Sequence, residues 1–474
     1  MKRPFTRICI LIFIFLFLLT ACNPGAAGGV TPTAKVSATR GPSPTPAPTV
    51  SPTVTPLPEI TVNPAKLEEV QVTFLHPWTG ETGQMVRNMV DQFNQTNEWG
   101  IFVIEMAPGS SGLVDEKFTE LMLNGIPPEV IVASPAHLMR YDQLHENILD
   151  LNAYAASDKF GLSTLEQQDF VPAFWLESLH AGKRYGIPAQ RTSDMLFYNV
   201  TWAKELGFPN APESWEEFRE QACAANALMR KDTDTANDGL GGWIINSGAL
   251  TTLSWLYVFG SDPAAMDAIQ FSSAESTTAF EQLLKLMNDS CGWLSRLPDA
   301  QDYFANRQAL FYSGSMEDLL KQERTNGRLE SEDDWAVLPY PRGEDTPIML
   351  AEGLDYGITH SSSEKQLAAW LFVRWLADPE QQAWILRKAG TLPLGEKVLT
   401  LAPDIVEETP RWQNGVDLMA YLLPLPATPE LDLAKMVLED GTWALYRTGL
   451  KAEGIPALLT QIDDIIAELA AYRE

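Results

Sequence analysis

The sequence predicts an α/β fold with a largely parallel sheet, because short apolar strands alternate with helical segments. The first predicted strand covers residues 70–75, where apolar side chains alternate with others. A helix follows from Glu81, and its apolar residues fall on one face: Met85, Val86, Met89, Val90 and Phe93. Strands at 101–106 and 130–132 flank a second helix at 113–123. In such sheets, ligands bind beyond the carboxyl ends of the strands.

The loops after these strands carry the first candidate ligand-binding residues, namely Trp78, Glu81, Ser110, Ser111 and Ser134. A tryptophan on an exposed loop offers a flat apolar face and an N–H, which suit stacking on a sugar ring with one hydrogen bond. We therefore expect Trp78→Ala to weaken ligand binding and to leave the stability of the unliganded protein almost unchanged. The alternative is that Trp78 packs against Pro77 and the following helix.

Composition indicates a globular exported body. The chain has 474 residues, of which 45% are hydrophobic, enough for a large core. Its net charge is −28, and the first 22 residues carry three basic and no acidic groups, so the remainder carries −31. A body this acidic repels phosphate backbones and disfavours nucleic-acid partners. The same negative charge is compatible with a cationic ligand.

The N-terminus has the pattern of a targeting segment. Lys2, Arg3 and Arg7 precede an apolar run at 8–19, which is shorter than the ~20 residues that span a bilayer. The sequence Leu-Thr-Ala-Cys at 19–22 resembles the lipobox of bacterial lipoproteins, in which the cysteine is acylated. We therefore predict a lipoprotein signal peptide at 1–22 with lipidation at Cys22, against the alternative of an ordinary signal peptide.

A Pro/Thr-rich segment at 23–67 lacks apolar periodicity and predicts a disordered linker. The folded body is expected to begin near Glu68. It contains two further cysteines, Cys223 and Cys291, which either form a disulfide or are two small buried side chains. An acidic loop at 232–239 has neither the spacing nor the glycine position of an EF-hand, and we predict no metal site.

A family resemblance rests on residues 182–218, where three motifs occur in order. They are Gly-Lys-x-x-x-x-Pro at 182–188, Phe-Tyr-Asn at 197–199 and Ser-Trp-Glu-Glu at 214–217. The set resembles extracellular solute-binding protein family 1, the binding proteins of sugar-type ABC importers. Further similar segments are the strand at 304–315, Val-Leu-Pro at 337–339, the Gly-rich stretch at 352–358, Asp-Pro-Glu-Gln at 378–381 and Gly-x-Leu-Pro at 390–393.

This resemblance extends from about residue 70 to the C-terminus and implies a two-lobed periplasmic-binding-protein fold of type II-like topology. A hinged cleft is expected between the lobes. The first lobe would comprise 68–189 and 311–360, and the second lobe 190–310 and 361–474.

The resemblance also implies further cleft residues. Arg191 and Thr192 follow the crossover, Ser315, Met316 and Glu352 lie on segments expected to return to the first lobe, and Trp243 follows a Gly-rich loop in the second lobe. For Trp243, cleft lining and core packing are open alternatives. Met316 stands where the family has a sugar-stacking tryptophan, and Thr192 where it has a carboxylate, so these two departures leave the ligand open.

The predicted function is to capture a small solute by lobe closure and to deliver this solute to an ABC permease. The first candidate for the solute is a mono- or oligosaccharide. The protein would be an extracytoplasmic monomer anchored to the membrane by lipid alone, without cofactor or catalysis. A polyamine or other cationic solute is the chief alternative ligand. A cell-surface glycoside-active enzyme and a sensor-type binding protein are the alternative functions.

Overall fold

The computed structural model describes residues 57–264, 269–295, 299–423, 425–447 and 449–471. From Leu57 onward, the chain forms one compact unit. The predicted signal peptide with Cys22, and the linker up to residue 56, lie outside the described residues. Leu67, at the predicted end of the linker, is fully buried, so packed structure begins before Glu68.

The strands of the described chain are β1 Gln71–Leu75, β2 Phe102–Met106, β3 Val130–Ala133, β4 Leu179–His180, β5 Lys183–Arg184, β6 Ile187–Asn199, β7 Gly241–Ile244, β8 Gly292–Trp293, β9 Ala309–Ser315, β10 Trp335–Leu338, β11 Met349–Ile358 and β12 Leu422–Leu423. Three 3-10 helices cover Pro64–Lys66, Leu418–Tyr421 and Ala452–Gly454.

The α-helices are α1 Gly80–Thr96, α2 Ser111–Leu123, α3 Pro135–His145, α4 Asn152–Ala155, α5 Thr164–Asp169, α6 Pro172–Glu177, α7 Val200–Glu205, α8 Trp215–Met229, α9 Ala249–Val258, α10 Ala274–Asn288, α11 Ala300–Ala305, α12 Met316–Leu329, α13 Ser363–Leu376, α14 Pro379–Ala389, α15 Glu396–Leu401, α16 Pro403–Glu408, α17 Pro410–Asp417, α18 Pro429–Arg447 and α19 Ile455–Ala471.

One mixed sheet runs through the protein in the order β2-β1-β3-β11-β6-β9-β7-β8, with β10 added to β6 and β12 to β11. We call β1, β2 and β3, with the mutually paired parts of β6 and β11, the first half of the sheet. The second half is β7, β8, β9 and β10 with β6 beyond Asp194. The strand β6 belongs to both halves, because it pairs with β11 up to Asp194 and with β9 from Asp194 onward.

Local chemistry explains the start of β6. A side chain at Gly186 would collide with Asp355, since a Cβ there would lie 2.6 Å from the Asp355 Cβ. Pro188 has an extended backbone but no N–H to donate to a neighbouring strand. Beside it, the pairing of β6 with β11 shifts by one residue, because Asp355 is opposite Pro188 and Leu354 is opposite Gln190. Beyond this bulge, successive side chains alternate between the two faces of the sheet.

Helices cover both halves. In the first half, α1, α2, α3 and α13 pack on the strands, and α14 packs on α1. In the second half, α8, α9, α10 and α12 pack on the strands, and α18 and α19 pack on α9 and α10. Helices that cover a mixed sheet confirm the predicted α/β class.

Two segments pack differently from the expected lobe boundaries. β9 pairs with β6 and β7, β10 pairs with β6, and α12 packs on β9, so 311–338 lies in the second half, whereas the expected first lobe included these residues. Conversely, α13 and α14 pack on β1 and α1, so 363–389 lies in the first half. Sequence order alone does not show which sheet a returning segment joins, because pairing partners are distant in the chain.

Three residues predicted to line a cleft lie in the hydrophobic core instead. Trp78 is 8% exposed and packs among Phe74, His76 and Tyr356, so the expectation that it stands free on its loop is wrong. Trp243 and Met316 are fully buried, which resolves the two alternatives for Trp243 in favour of core packing.

The structure joins Cys223 and Cys291 in a disulfide, which the sequence left open. Their Cα atoms lie 4.4 Å apart. Cys223 belongs to α8 and Cys291 directly precedes β8, so the bridge ties a covering helix to the edge of the second half.

Burial of Trp78 reverses the expected effect of removing it. We predict that Trp78→Ala lowers the free energy of unfolding by about 3–5 kcal/mol, because it leaves a cavity in the core. The measurement is urea unfolding of the unliganded protein. Trp384→Ala is the matched control, since Trp384 is 54% exposed, and it should change stability by less than about 0.5 kcal/mol. Equal stabilities of the two variants would contradict the burial of Trp78.

Candidate functional site

The floor of a cleft between the two halves is formed by one face of β6 and β11. Gln190, Thr192 and Asp194 alternate along β6 and therefore share a face. Glu352 of β11 is paired directly with Thr192 and lies on the same face. Four polar side chains thus stand where the chain passes from one half to the other.

The first half contributes the N-termini of two helices to this cleft. Ser110 and Ser134 cap α2 and α3, with their hydroxyls accepting from the backbone N–H groups of Leu113 and His137. Ser111 and Ser134 line the cleft. Both helices follow the carboxyl ends of parallel strands, as expected.

The second half contributes α18 and the start of α9. Asp432, Lys435, Met436 and Glu439 stand at positions i, i+3, i+4 and i+7 of α18 and so share one helical face. Their side chains complete the wall opposite α3.

Two polar contacts reach from α18 to the rest of the cleft. His137 Nδ1 lies 3.1 Å from Asp432 Oδ2 and 2.8 Å from Ser134 Oγ. Lys435 Nζ lies 3.0 Å from Glu352 Oε2 and 3.5 Å from Asp432 Oδ1. The first contact joins the two halves directly, and the second holds α18 to the floor.

Burial governs the charge states of this cluster. Burial lowers the pKa of His137, and the nearby Asp432 offsets the effect only in part. Burial also acts to lower the pKa of Lys435, but the carboxylates of Glu352 and Asp432 outweigh it and raise that pKa. Lys435 is therefore a charged ammonium, fully engaged by two carboxylates.

The cleft contains two adjoining chambers that share His137, Thr192, Glu352, Asp432 and Lys435. The first chamber has a volume of about 360 Å³ and is lined by Ser111, Ser134 and Tyr141 from the first half and by loop 425–428. The second chamber has a volume of about 400 Å³ and is lined by Asp194, Asn246, residues 248–251, Ser315 and Glu439. These volumes suit small solutes.

Arg191 was predicted to line the cleft, but it lies on the opposite face of β6 and has no exposed surface. Its Nη2 is 2.7 Å from Asp355 Oδ1, and its Nε is 2.9 Å from Glu177 Oε2. Gly353 leaves room for it, because a Cβ there would lie 2.5 Å from the Arg191 Cδ. Arg191 is thus a buried structural cation rather than a ligand contact.

A hydrogen-bond chain links the cleft floor to both halves. Trp78 Nε1 donates to Gln190 Oε1 at 2.6 Å, and Gln190 Nε2 lies 3.4 Å from Glu317 Oε1. Thr192 Oγ1 donates to the other carboxylate oxygen of Glu317. Trp78 therefore reaches the cleft only through Gln190.

The structure brings five predicted residues to the cleft lining: Ser111, Ser134, Thr192, Ser315 and Glu352. Ser110 is an exposed helix cap next to it. Glu81 lies instead in a groove between α1 and α14 beside Trp384. The sequence missed Gln190 and Asp194, which the two-residue period of β6 could have indicated, and the face of α18, for which the charged helical spacing was the available pattern.

Two other cavities involve the first half alone. One, of about 190 Å³, lies around Trp99 and Trp375, and the other is the α1–α14 groove of about 450 Å³. Within the part of the chain that the structure describes, no group of three or more His, Cys, Asp and Glu residues could hold a metal ion.

Asp194 is the most perturbed acid of the cleft. It is 6% exposed and accepts a hydrogen bond from the Tyr340 hydroxyl. Burial raises the pKa of Asp194 to about 7, with Glu352 and Asp318 adding to the shift, while hydrogen bonds from Tyr340 and Thr251 oppose it.

We predict a pH dependence of stability that Asp194→Asn removes. Between the ordinary pKa of Asp, near 4, and about 7, the folded protein holds a proton that the unfolded chain has lost, so stability falls as pH rises. This residue should contribute a slope of up to about 1.4 kcal/mol per pH unit in that window.

The measurement is urea unfolding at several pH values, with Asp464→Asn on the exposed face of α19 as the control. Asp194→Asn should flatten the profile relative to both wild type and control. A variant profile parallel to that of wild type would contradict the raised pKa.

Comparisons with solved structures show the fold. The sugar-binding protein MalE from Xanthomonas citri is 20% identical, with a TM-score of 0.70 over 85% of this chain and 99% of that chain. UgpB from Mycobacterium tuberculosis in complex with glycerophosphocholine is 16% identical, with a TM-score of 0.70 over 85% and 99%. The cyclic alpha-maltosyl-1,6-maltose binding protein from Arthrobacter globiformis is 16% identical, with a TM-score of 0.67 over 84% and 99%.

Sequence comparison also finds similarity to binding proteins. A binding protein of Brucella abortus (strain 2308) is 23% identical over 266 residues, which are 54% of this chain and 60% of that protein. The match thus spans less than two thirds of the curated relative. Residues 88–419, more than half of the chain, match the family described as bacterial extracellular solute-binding protein. The chain therefore belongs to the bacterial extracellular solute-binding proteins, a family that binds solutes and is not enzymatic.

Proposed function

We propose that this protein captures a small, hydroxyl-rich solute of the sugar class in the cleft between its two halves and delivers it to an ABC permease. The observation that carries the proposal is that both chambers are lined from both halves, over a floor made by β11 and by β6, the strand that both halves share. A solute held there touches both halves at once, so it stabilises their approach.

The mechanism is a shift of population between open and closed arrangements. We propose that the two halves are the two lobes, with 309–338 in the second and 363–389 in the first. The hinge lies where β6 changes partner at Asp194. A solute that contacts both lobes favours closure by its differential affinity. A change from 1:99 to 99:1 requires about 5.5 kcal/mol of that affinity.

The chemistry of the first chamber supports a hydroxylated solute. Ser111, Ser134, Gln190 and Thr192 offer directional donors and acceptors, and the N-termini of α2 and α3 face it. The relatives named above include a sugar-binding protein, a maltosyl-maltose binding protein and a glycerophosphocholine complex. All three ligand classes carry hydroxyl groups.

The test is a thermal-shift screen against sugars, sugar alcohols, amines and peptides, followed by calorimetric titration and small-angle scattering. A responding solute at 100 times its Kd should stabilise the protein by about 2.7 kcal/mol and reduce its radius of gyration. Thr192→Val should weaken binding about fivefold, since a lost hydrogen bond is worth about 1 kcal/mol.

Thr278→Val is the matched control, because Thr278 also donates a side-chain hydrogen bond, to Ala274 O at 2.9 Å, but on the exposed face of α10. It should leave the affinity unchanged. If no small solute raises the melting temperature or compacts the protein, the proposed function is wrong.

We also propose that Cys22 anchors the protein to the extracytoplasmic face of the membrane by a lipid. The support is the order of basic residues, apolar run and Leu-Thr-Ala-Cys at 19–22. No helix in the described ranges is long and apolar enough to cross a membrane. Cys22→Ala should move the protein from the detergent phase to the aqueous phase or leave it unprocessed. Unchanged partitioning would reject the anchor.

A further inference from the structure

The first chamber reaches around an open stretch at the edge of β11. Along one edge β11 pairs with β6, and along the other it pairs with β12 through Met349 and Leu350 and with β3 through 355–358. Between β12 and β3, residues 351–354 have no described strand on that edge, and all four line the first chamber. Because successive side chains of a strand point to opposite faces, the chamber touches both faces of the sheet at this edge.

An apolar pocket of about 400 Å³ lies next to the same edge, bounded by α6, β4, β12 and loop 425–428. Its large apolar side chains are those of Phe174, Leu176, Leu179, Leu422, Leu423 and Leu425. Its polar side chains are Glu177, His180 and Thr428. The carboxylate of Glu177 already accepts a hydrogen bond from Arg191 Nε at 2.9 Å. The lining therefore favours an apolar group over a polar one.

The apolar pocket and the first chamber adjoin directly, because Glu177, Ala351 and loop 425–428 line both. Ala351 is paired with Ser193, so it lies on the face of the sheet opposite to the cleft floor. A solute in the first chamber thus meets hydroxyl groups such as that of Ser134 on one side and the apolar pocket on the other.

The pocket is deep enough for a slender group. Leu176 and Leu179 are 59% and 38% exposed, whereas Phe174 is 3% exposed. The Phe174 ring lies 5.5 Å from the guanidinium carbon of the buried Arg191. The lining thus extends from solvent to the covered face of β6. Exposed apolar surface of this kind marks a binding site, and its depth suits an alkyl or aryl group better than the surface of a partner protein.

We propose that the solute is amphiphilic, with a hydroxyl-rich head in the first chamber and an apolar alkyl or aryl group in the pocket beside α6. This inference rests on the proposed function. Ser111, Ser134 and Thr192 bind the head, and the apolar group leaves the chamber past Ala351 and loop 425–428. The solute is therefore a glycoside or polyol ether with an apolar substituent, and an unsubstituted sugar occupies the first chamber alone.

The experiment is calorimetric titration of the full-length protein with two matched pairs of molecules: methyl and hexyl β-D-glucoside, and methyl and hexyl β-D-maltoside. All are used below the concentrations at which they form micelles. In at least one pair the hexyl glycoside should bind about tenfold more tightly or better, since each buried CH2 strengthens binding about fourfold. Its binding should also show the more negative heat-capacity change, the mark of apolar burial.

The variants Leu176→Asn and Leu179→Asn should each lower the ratio of hexyl to methyl affinity about fivefold, because a polar group replaces apolar contact with the chain. Both side chains are partly exposed, so the substitutions should leave the fold intact, which urea unfolding checks. The matched control is Leu144→Asn, since Leu144 is 55% exposed on α3 and lines neither cavity. It should keep the wild-type ratio.

Equal affinities of the methyl and hexyl glycosides would overturn the apolar site and leave the proposed function standing. A hexyl preference that both leucine variants retain would also overturn it, because the chain would then bind elsewhere. If none of the four glycosides binds, the amphiphilic class is wrong. If, in addition, no solute of the thermal-shift screen binds, the proposed function is wrong as well.

Discussion

The buried ion pair between Arg191 and Asp355 is the interaction on which the rest of the structure depends. It joins β6, the strand shared by both halves, to β11, and Glu177 provides a second carboxylate for the same guanidinium. Because Asp355 has no exposed surface, removal of Arg191 would leave the Asp355 carboxylate without its ion-pair partner, and breaking a buried ion pair in this way typically costs about 3–5 kcal/mol. Gly353 makes the arrangement possible by leaving space for the arginine side chain.

The same alternation that buries Arg191 on one face of β6 brings polar side chains to the cleft on the other face. With Arg191 fixed on one side of β6, Gln190, Thr192 and Asp194 must lie on the other, where Glu352 joins them from β11. The strand β6 therefore carries both the buried arginine that stabilises the fold and the side chains of the cleft floor. Since β6 changes partner at Asp194, the floor coincides with the proposed hinge, and contacts with a solute couple directly to the approach of the halves.

Polar contacts cross the cleft between the two halves. The pair His137–Asp432 joins α3 to α18, and Lys435 holds α18 to Glu352 of the floor. The ammonium of Lys435 is paired with Glu352 and Asp432. Acidic side chains also line the second chamber. Hydroxyl groups and helix N-termini dominate the first chamber. The cleft thus has two chemically different ends, which constrains the orientation of any solute within it.

The sequence by itself determined the α/β class, the family and the order of elements, because hydrophobic periodicity and ordered motifs such as 182–188 and 214–217 are local. It also predicted Ser134, Thr192 and Glu352 as cleft residues, and these three side chains line the cleft in the structure. Only the tertiary structure decided that Trp78 and Trp243 are core residues, that Arg191 faces away, and that β9 joins the second half. Burial and sheet pairing depend on contacts between residues far apart in the chain, and no local pattern contains them. Likewise, only the packing of α18 brings the face with Asp432, Lys435 and Glu439 to the cleft lining.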